Sequence, residues 1–258
     1  MNTSMQGKRI LVTAGAAGIG MAITQAFVAA GAQVHICDID QAALDRARAA
    51  LPAVSQSRTD VSDRTAVDAM FDDLAIRWTT LDVLVNNAGV AGPTAKIEAI
   101  DPGDWERTLA VCMTGMFLCT RRAMPMIKAA GGGSVVNLSS AAGRLGFPLR
   151  SPYAAAKFGV VGFTESLAIE AGPDNVRVNA ILPGVVAGER QDRVIAAKAA
   201  ALGISVEEQT TRLLSRVSMR KMVSADDIAN MILFICSPAG ENISGQSLAV
   251  CGNVETLA

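Results

Sequence analysis

Tyr153 and Lys157 lie in the run Ser151-Pro152-Tyr153-Ala154-Ala155-Ala156-Lys157. On a helix, residues at i and i+4 share a face one turn apart. A phenol is a weak acid near neutrality, with a reference pKa of about 10. An ammonium beside it favours the phenolate. The pair therefore describes a proton donor and acceptor whose strength a neighbouring charge can tune. On its own such a pair commonly belongs to a solvated helix face. Here Tyr153 is the only tyrosine of the chain, and it follows the serine pair Ser139-Ser140 and, further upstream, a glycine-rich turn.

That turn reads Thr13-Ala14-Gly15-Ala16-Ala17-Gly18-Ile19-Gly20. It follows a β-rich run and opens a helical pattern. Glycines there let the backbone approach a pyrophosphate, and the helix N-terminus offers N–H donors and a favourable dipole. Asp38 ends the next strand, where an acidic residue can bind adenosine ribose hydroxyls. Its charge would repel a 2′-phosphate, and neither Ala17 nor Ile39 supplies a cation, so the reading is NAD(H) rather than NADP(H). The competing role for Asp38 is to cap the following helix. Asn86-Asn87-Ala88-Gly89 closes an apolar strand and suits the ligand crevice of an open sheet.

Strands and helices alternate along the whole chain. Strands are expected over 8–13, 33–38, 57–61, 81–86, 133–138, 175–181 and 247–250. Helices are expected up to Ala30, closed by Gly31, and over 41–51, 63–78 with Ser62 as N-cap, 105–130, 152–171 and from Ser224 to Cys236. A charged helical insertion spans 185–216. This order predicts an α/β fold, a doubly wound, parallel, Rossmann-like sheet in a three-layer αβα sandwich, built as one domain over 1–258.

Composition narrows the function. The chain has 258 residues, a formal net charge of −1, 50% hydrophobic and 4% aromatic residues. It carries no electrostatic footprint for nucleic acid or an anionic membrane. No apolar run approaches a membrane span, and the N-terminus lacks the apolar stretch of a signal peptide, so a cytoplasmic protein is expected. Cys37, Cys112, Cys119, Cys236 and Cys251 show no C-x-x-C spacing and read as buried small hydrophobes, not as disulfides or metal ligands. The single histidine, His35, sits in a strand pattern, and no G-x-S-x-G elbow is present, which leaves a hydrolase triad little support.

Taken together, the T-x-x-x-x-G-I-G turn, Asp60-Val61, Asn86-Asn87-Ala88-Gly89, Ser139-Ser140, Tyr153-x-x-x-Lys157 and Asn179-Ala180-x-x-Pro183-Gly184 resemble the short-chain dehydrogenase/reductase family, from Lys8 to about Gly252. The resemblance implies Tyr153 as general acid/base, Ser140 as the hydrogen-bond partner of the substrate oxygen, and Lys157 as the residue that assists Tyr153 and holds the nicotinamide ribose. It further implies Gly15, Gly18, Ile19 and Gly20 at the pyrophosphate, Asp60 and Val61 flanking adenine, Asn87, with Ala88 and Gly89, lining the crevice, and Pro183, Gly184 and Val186 bordering the nicotinamide. No metal is implied, and family members are commonly homotetramers or homodimers. Four positions depart from the family pattern. Ala14 replaces the first glycine of the turn, which is tolerable if φ there stays below zero. Cys112 stands where many members carry a proton-relay Asn. Gly188 replaces a Thr near the carboxamide. Val250-Cys251-Gly252-Asn253 replaces V-D-G-G, a change expected to affect packing.

The substrate end should be formed by 91–99, 141–150 and 185–216. Arg144, Arg150 and Arg190 are candidates for an anionic group, and Phe147 is the clearest pocket aromatic; each arginine is equally well read as an ordinary surface residue. The expected activity is hydride transfer between NAD(H) and a secondary alcohol or ketone, with a small polar hydroxy compound favoured over a steroid. The alternatives are a 3-oxoacyl-thioester reductase and an NAD-binding structural or regulatory protein that has lost catalysis.

Overall fold

The computed structural model describes residues 2–257. One seven-stranded sheet runs through it in the order β3-β2-β1-β4-β5-β6-β7. The strands are β1 Arg9–Thr13, β2 Gln33–Asp38, β3 Ser55–Arg58, β4 Val83–Asn86, β5 Gly133–Leu138, β6 Val176–Pro183 and β7 Ser247–Val250. Every pairing is parallel, so the carboxyl ends of the strands share one edge. The chain winds outward in both directions from the β1–β4 junction, the place where open α/β sheets bind ligands.

The strand period of two sorts side chains between two cores. Ile10, Val12, Val34, Ile36, Val83 and Val85 pack against α1 (Gly18–Ala29), α2 (Gln41–Ala50) and α9 (Ala225–Cys236). Leu11, Cys37, Leu84, Val135 and Val178 face the opposite layer, formed by α3 (Arg64–Arg77), α5 (Gly115–Ala129) and α6 (Ser151–Ala171). This is the doubly wound sandwich that the sequence predicts.

Several boundaries differ from expectation, with β4 starting at Val83 and β6 running on to Pro183 among them. β3 begins two residues earlier, at Ser55, where it pairs with His35, and it stops at Arg58. It does not reach Val61, because the Asp60 carboxylate accepts the Ser62 N–H at 2.9 Å and the Ser62 hydroxyl at 2.6 Å, folding the chain into a turn. With that hydroxyl engaged, Asp63 rather than Ser62 caps α3, accepting the N–H groups of Thr65 and Ala66. The helix expected from Trp105 starts at Pro102, with Asp101 as cap and proline in the first turn, where its missing N–H is harmless. It is also not continuous: α4 (Pro102–Leu109) passes through a π-helical turn, Ala110–Thr114, into α5.

His35 is a buried strand histidine. Its ring nitrogens lie 2.8 Å from Ser55 Oγ and 3.0 Å from Ser57 Oγ. Burial, and secondarily the charge of Arg77, lowers its pKa from 6.5 to about 4. Between those values the unfolded chain binds a proton that the folded protein does not. The contribution of the neutral ring is complete above the unfolded value and is lost as pH falls from about 6.5 to about 4. It amounts to about 3 kcal/mol at one pKa unit per 1.36 kcal/mol. In urea titrations across this window, His35→Asn should therefore show a flatter fall of unfolding free energy with acid than the parent. Equal slopes would mean that other groups carry the acid sensitivity.

Candidate active site

The glycine turn joins β1 to α1 at the β1–β4 junction. Asn87 stitches it in place: its Nδ2 donates to the carbonyls of Thr13 and Ala14, both at 3.0 Å. Thr13 Oγ1 accepts the N–H groups of Asn87 and Ala88 at 2.9 and 3.0 Å. A Cβ on Gly20 would overlap the Ala14 carbonyl oxygen and stand 2.7 Å from Asn87 Nδ2, so only glycine fits there. Gly18, at φ +52°, has no atom within 4 Å of where a Cβ would stand. The helices α2, α3, α4, α9 and α8 (Val206–Leu214) each carry a side-chain cap on their N-terminal N–H groups. At α1 the cap position is Ala17, no side chain bonds to the helix start, and no acidic residue sits in the first turn. Uncapped donors beneath an open glycine fit a dinucleotide pyrophosphate.

The other expected cofactor positions lie along the same edge. Gly15 donates its N–H to the Cys37 carbonyl at 3.1 Å, and Ile19 begins α1 against the core. Asp38 closes β2, and its two oxygens accept the N–H groups of Ala16 (3.3 Å) and Asp40 (3.1 Å). The capping alternative belongs to Asp40 instead, which accepts the N–H groups of Ala42 and Ala43. Asp60 is engaged within the protein, by Ser62 and by Arg107 at 3.2 Å. Pro183 ends β6, Gly184 N–H donates to the Val250 carbonyl at 3.0 Å, and Val186 bridges to Val223.

Tyr153 and Lys157 meet beside this edge, and Ser140 lies two residues past the β5 end to which Lys157 is bonded. Lys157 is buried on α6, and its Nζ donates to the Leu138 carbonyl at the end of β5, at 2.7 Å. The same Nζ lies 5.6 Å from the centroid of the Tyr153 ring. Ser140 begins the short turn Ala141–Gly143 and accepts the Ala142 N–H at 3.1 Å. Its neighbour Ser139 donates to the Lys157 carbonyl at 2.8 Å and ties α6 to the end of β5. The sequence pointed to the serine pair but not to this positioning role of Ser139. Below them runs a buried polar chain, also missed: Asn86 Nδ2 donates to Thr120 and Asn137, and Asn137 Nδ2 donates to Thr164. Such a chain fixes the strand ends in register with α5 and α6.

A cavity of about 550 Å³ opens next to this group. Gly89–Gly92 and Phe147–Arg150 form one wall, and α7 (Glu189–Leu202) forms the other through Arg190, Arg193, Val194 and Lys198. Of the residues singled out for the substrate end, Phe147, Arg150 and Arg190 line it. Arg144 does not: it ends the turn whose buried side is taken by Ala141 and Ala142, and it is turned to solvent. Arg193 and Lys198 are additions that the sequence did not single out.

A family model described as Enoyl-(Acyl carrier protein) reductase matches residues 14–253. A probable galactose dehydrogenase of Rhizobium meliloti (strain 1021) is 34% identical, covering 97% of this chain and 96% of its own. A cis-4-hydroxycyclohexanecarboxylate dehydrogenase of Sinomonas cyclohexanicum is 36% identical, covering 94% of each chain. The chain belongs to the short-chain dehydrogenase/reductase family. It is an oxidoreductase of that family. Among solved structures, an NAD⁺-bound xylitol dehydrogenase superposes with a TM-score of 0.92 at 26% identity, covering 96% of this chain and 99% of the other.

Three departures from the short-chain dehydrogenase pattern now have a physical account. Ala14 does not keep φ below zero: it stands at +48°, in the left-handed region. The methyl group costs roughly 1–2 kcal/mol there, of which a glycine would return part in unfolded-state entropy. Ala14→Gly is therefore expected to stabilise the protein by about 0.5–1 kcal/mol. Differential scanning fluorimetry would register a rise of a few degrees, and an unchanged or lower midpoint would contradict it. Cys112 lies in the π-helical turn. Its thiol accepts the Val90 N–H at 3.4 Å and donates to the Val90 carbonyl at 3.5 Å, clasping the wall of the cavity. Gly89 brings this thiol close to the centre, since a Cβ there would stand 3.6 Å from both Cys112 Sγ and Lys157 Nζ. Cys251 is buried with Ala141, Val185, Val217 and Val254, a packing position.

Proposed function

We propose that this oxidoreductase interconverts a secondary alcohol and its ketone with NAD(H), on a small polar hydroxy compound. The observation that carries this reading is the Tyr153–Lys157 pair, anchored at the end of β5 beside an uncapped glycine turn. When bound, the nicotinamide supplies the hydride acceptor or donor. Ser140 Oγ already accepts one N–H, which leaves its hydroxyl hydrogen for the substrate oxygen. Tyr153 exchanges the hydroxyl proton with the substrate. Lys157 has one N–H on Leu138 and two remaining, for the cofactor ribose and for stabilising a developing phenolate. Gly15, Gly18, Ile19 and Gly20 hold the pyrophosphate, Asp38 the adenosine ribose, Asp60 and Val61 the adenine side, and Asn87, Ala88, Gly89, Pro183, Gly184 and Val186 the nicotinamide half. The preference for NAD(H) rests on the Asp38 carboxylate.

We read the chain as a single unit whose segment 185–216 shapes the substrate end. The five cysteines are free and buried, as suits a reducing cytoplasm. Among the described residues no helix is long and apolar enough to cross a membrane. Phe117 on α5, and Phe158 and Ile169 on α6, leave large apolar side chains exposed, at 49%, 47% and 80%. We assign this face to a homodimer or homotetramer contact. Phe158→Asp should lower the mass found by sedimentation velocity, whereas a parent protein that sediments as a monomer rules the contact out.

Fluorescence titration with NADH, followed by a screen of polyols, sugars and hydroxy acids with NAD⁺, tests the activity. Turnover of a secondary alcohol supports it. Tight NADH binding with no turnover across the panel favours the structural or regulatory alternative.

A further inference from the structure

We infer that the substrate carries a carboxylate, which Arg150 receives in the cavity beside Tyr153, with Arg190 and Lys198 completing a cationic wall. This rests on the alcohol dehydrogenase reading and names the substrate class that the site takes.

Arg150 is the central observation. It is only 6% exposed, yet its Nε is buried with no hydrogen-bond partner in the protein. One terminal nitrogen donates to the Ala91 carbonyl, and the guanidinium lies 5.2 Å from the Phe147 ring centroid and 5.3 Å from that of Tyr153. The group is thus held close to two rings, next to the proposed acid/base, in a residue that lines the cavity and has one buried donor unspent. An unpaired buried donor on a charged group is costly and calls for an explanation. The residue before it, Leu149, holds φ at +65°, a strained setting for a branched side chain.

The surroundings share the sign of the charge. Arg190, Arg193 and Lys198 line the same cavity, and among the described residues no Asp or Glu does. Arg193 is drawn outward to Glu189 at 3.9 Å, whereas Arg150, Arg190 and Lys198 form no ion pair among the described residues. Burial lowers the pKa of Arg150; the neighbouring Tyr153 opposes this, and the charge of Arg190 adds to it. Burial also lowers that of Lys198, with further contributions from Arg216 and Arg150. Like charges held together without a counter-charge destabilise one another, and an entering anion relieves all of them at once. A planar carboxylate matches the guanidinium fork. None of the residues of the glycine turn lines this cavity, so the cofactor pyrophosphate is not the anion expected here.

The test uses matched substrates with NAD⁺: cis-4-hydroxycyclohexanecarboxylate and its carboxamide, which share shape and differ in charge, with glycerol 3-phosphate as a phosphate arm. The parent enzyme should favour the carboxylate over the carboxamide roughly 10–100-fold in kcat/KM, the range of a charge-assisted hydrogen-bonded pair. Arg150→Gln should bring that ratio near unity. Arg190→Gln and Lys198→Met, which lie at less buried positions and guard against misfolding of the first variant, should each reduce it several-fold. A second readout is independent of turnover: cyclohexanecarboxylate titrated into the enzyme–NADH complex, followed by NADH fluorescence, should bind and should weaken in Lys198→Met. Equal rates on carboxylate and carboxamide overturn the carboxylate assignment while leaving the dehydrogenase reading intact, and preference for the phosphate ester overturns it in favour of another anion. If no alcohol is oxidised, the dehydrogenase reading falls, and the titration alone decides the anion site: saturable binding weakened by Lys198→Met sustains it, and no binding removes it.

Discussion

Tyr153→Phe should lower kcat by about 10²–10⁴-fold, the usual contribution of a positioned acid or base, and leave NADH affinity within a few-fold of the parent. The reasoning is geometric. Phenylalanine keeps the ring against the Arg150 guanidinium and the Lys157 ammonium, at centroid distances of 5.3 and 5.6 Å in the parent. The wall of the cavity therefore survives and only the hydroxyl is lost. KM for the alcohol should change much less than kcat, because the missing interaction is with a proton in flight rather than with a bound group. Lys157→Met makes the contrasting case. It removes a buried donor from the Leu138 carbonyl as well as a charge from the cofactor crevice, so it should weaken both folding stability and NADH binding. Steady-state rates read at the NADH absorbance, with parallel fluorescence titrations, separate the two patterns. Activity of Tyr153→Phe within tenfold of the parent would sink the proton-transfer assignment.

Much of this fold was legible because its signals are local. Apolar runs gave the strands, and the glycine-rich run marked the turn between β1 and α1. The pairing of Tyr153 with Lys157 needed only helical periodicity. What could not be read depends on contacts between distant segments. Strand β3 is set by its register with β2 and by the carboxylate turn at Asp60, not by its own apolar content. The π-helical turn at Ala110–Thr114 has no residue signature of its own. Arg144 and Arg150 look equivalent in sequence, yet one ends a turn facing solvent and the other is swung inward behind a strained Leu149. Lys198 joins the cavity only because α7 packs across its mouth. The condition offered for Ala14 was not met either, since in the turn that Asn87 and Gly20 hold in place it stands at positive φ.

Asp38→Asn should shift cofactor preference toward NADP(H), by roughly 10²–10³-fold in the ratio of kcat/KM values. A carboxylate offers about four acceptor sites, and Asp38 commits two of them to the N–H groups of Ala16 and Asp40. The rest remain for ribose hydroxyls, and charge-assisted hydrogen bonds of that kind contribute roughly 1.5–3 kcal/mol each. The same charge repels a 2′-phosphate, by a few kcal/mol at the effective dielectric near a protein surface. Neutralising it weakens NAD(H) and relieves NADP(H) together, so the two effects multiply in the ratio. A cation is already at hand: Arg58 pairs with Asp38 in the β2–β3 register, and its Nε donates to the Ile39 carbonyl at 3.3 Å. Once the carboxylate is neutral, it no longer competes with an incoming phosphate for that guanidinium. Asparagine is the informative substitution because it preserves the shape and an acceptor for the Ala16 N–H, so the glycine turn keeps its support. If Asp38 served only to brace that turn, Asp38→Asn would depress activity with both cofactors alike, and an unchanged ratio is the result that would remove Asp38 from cofactor selection.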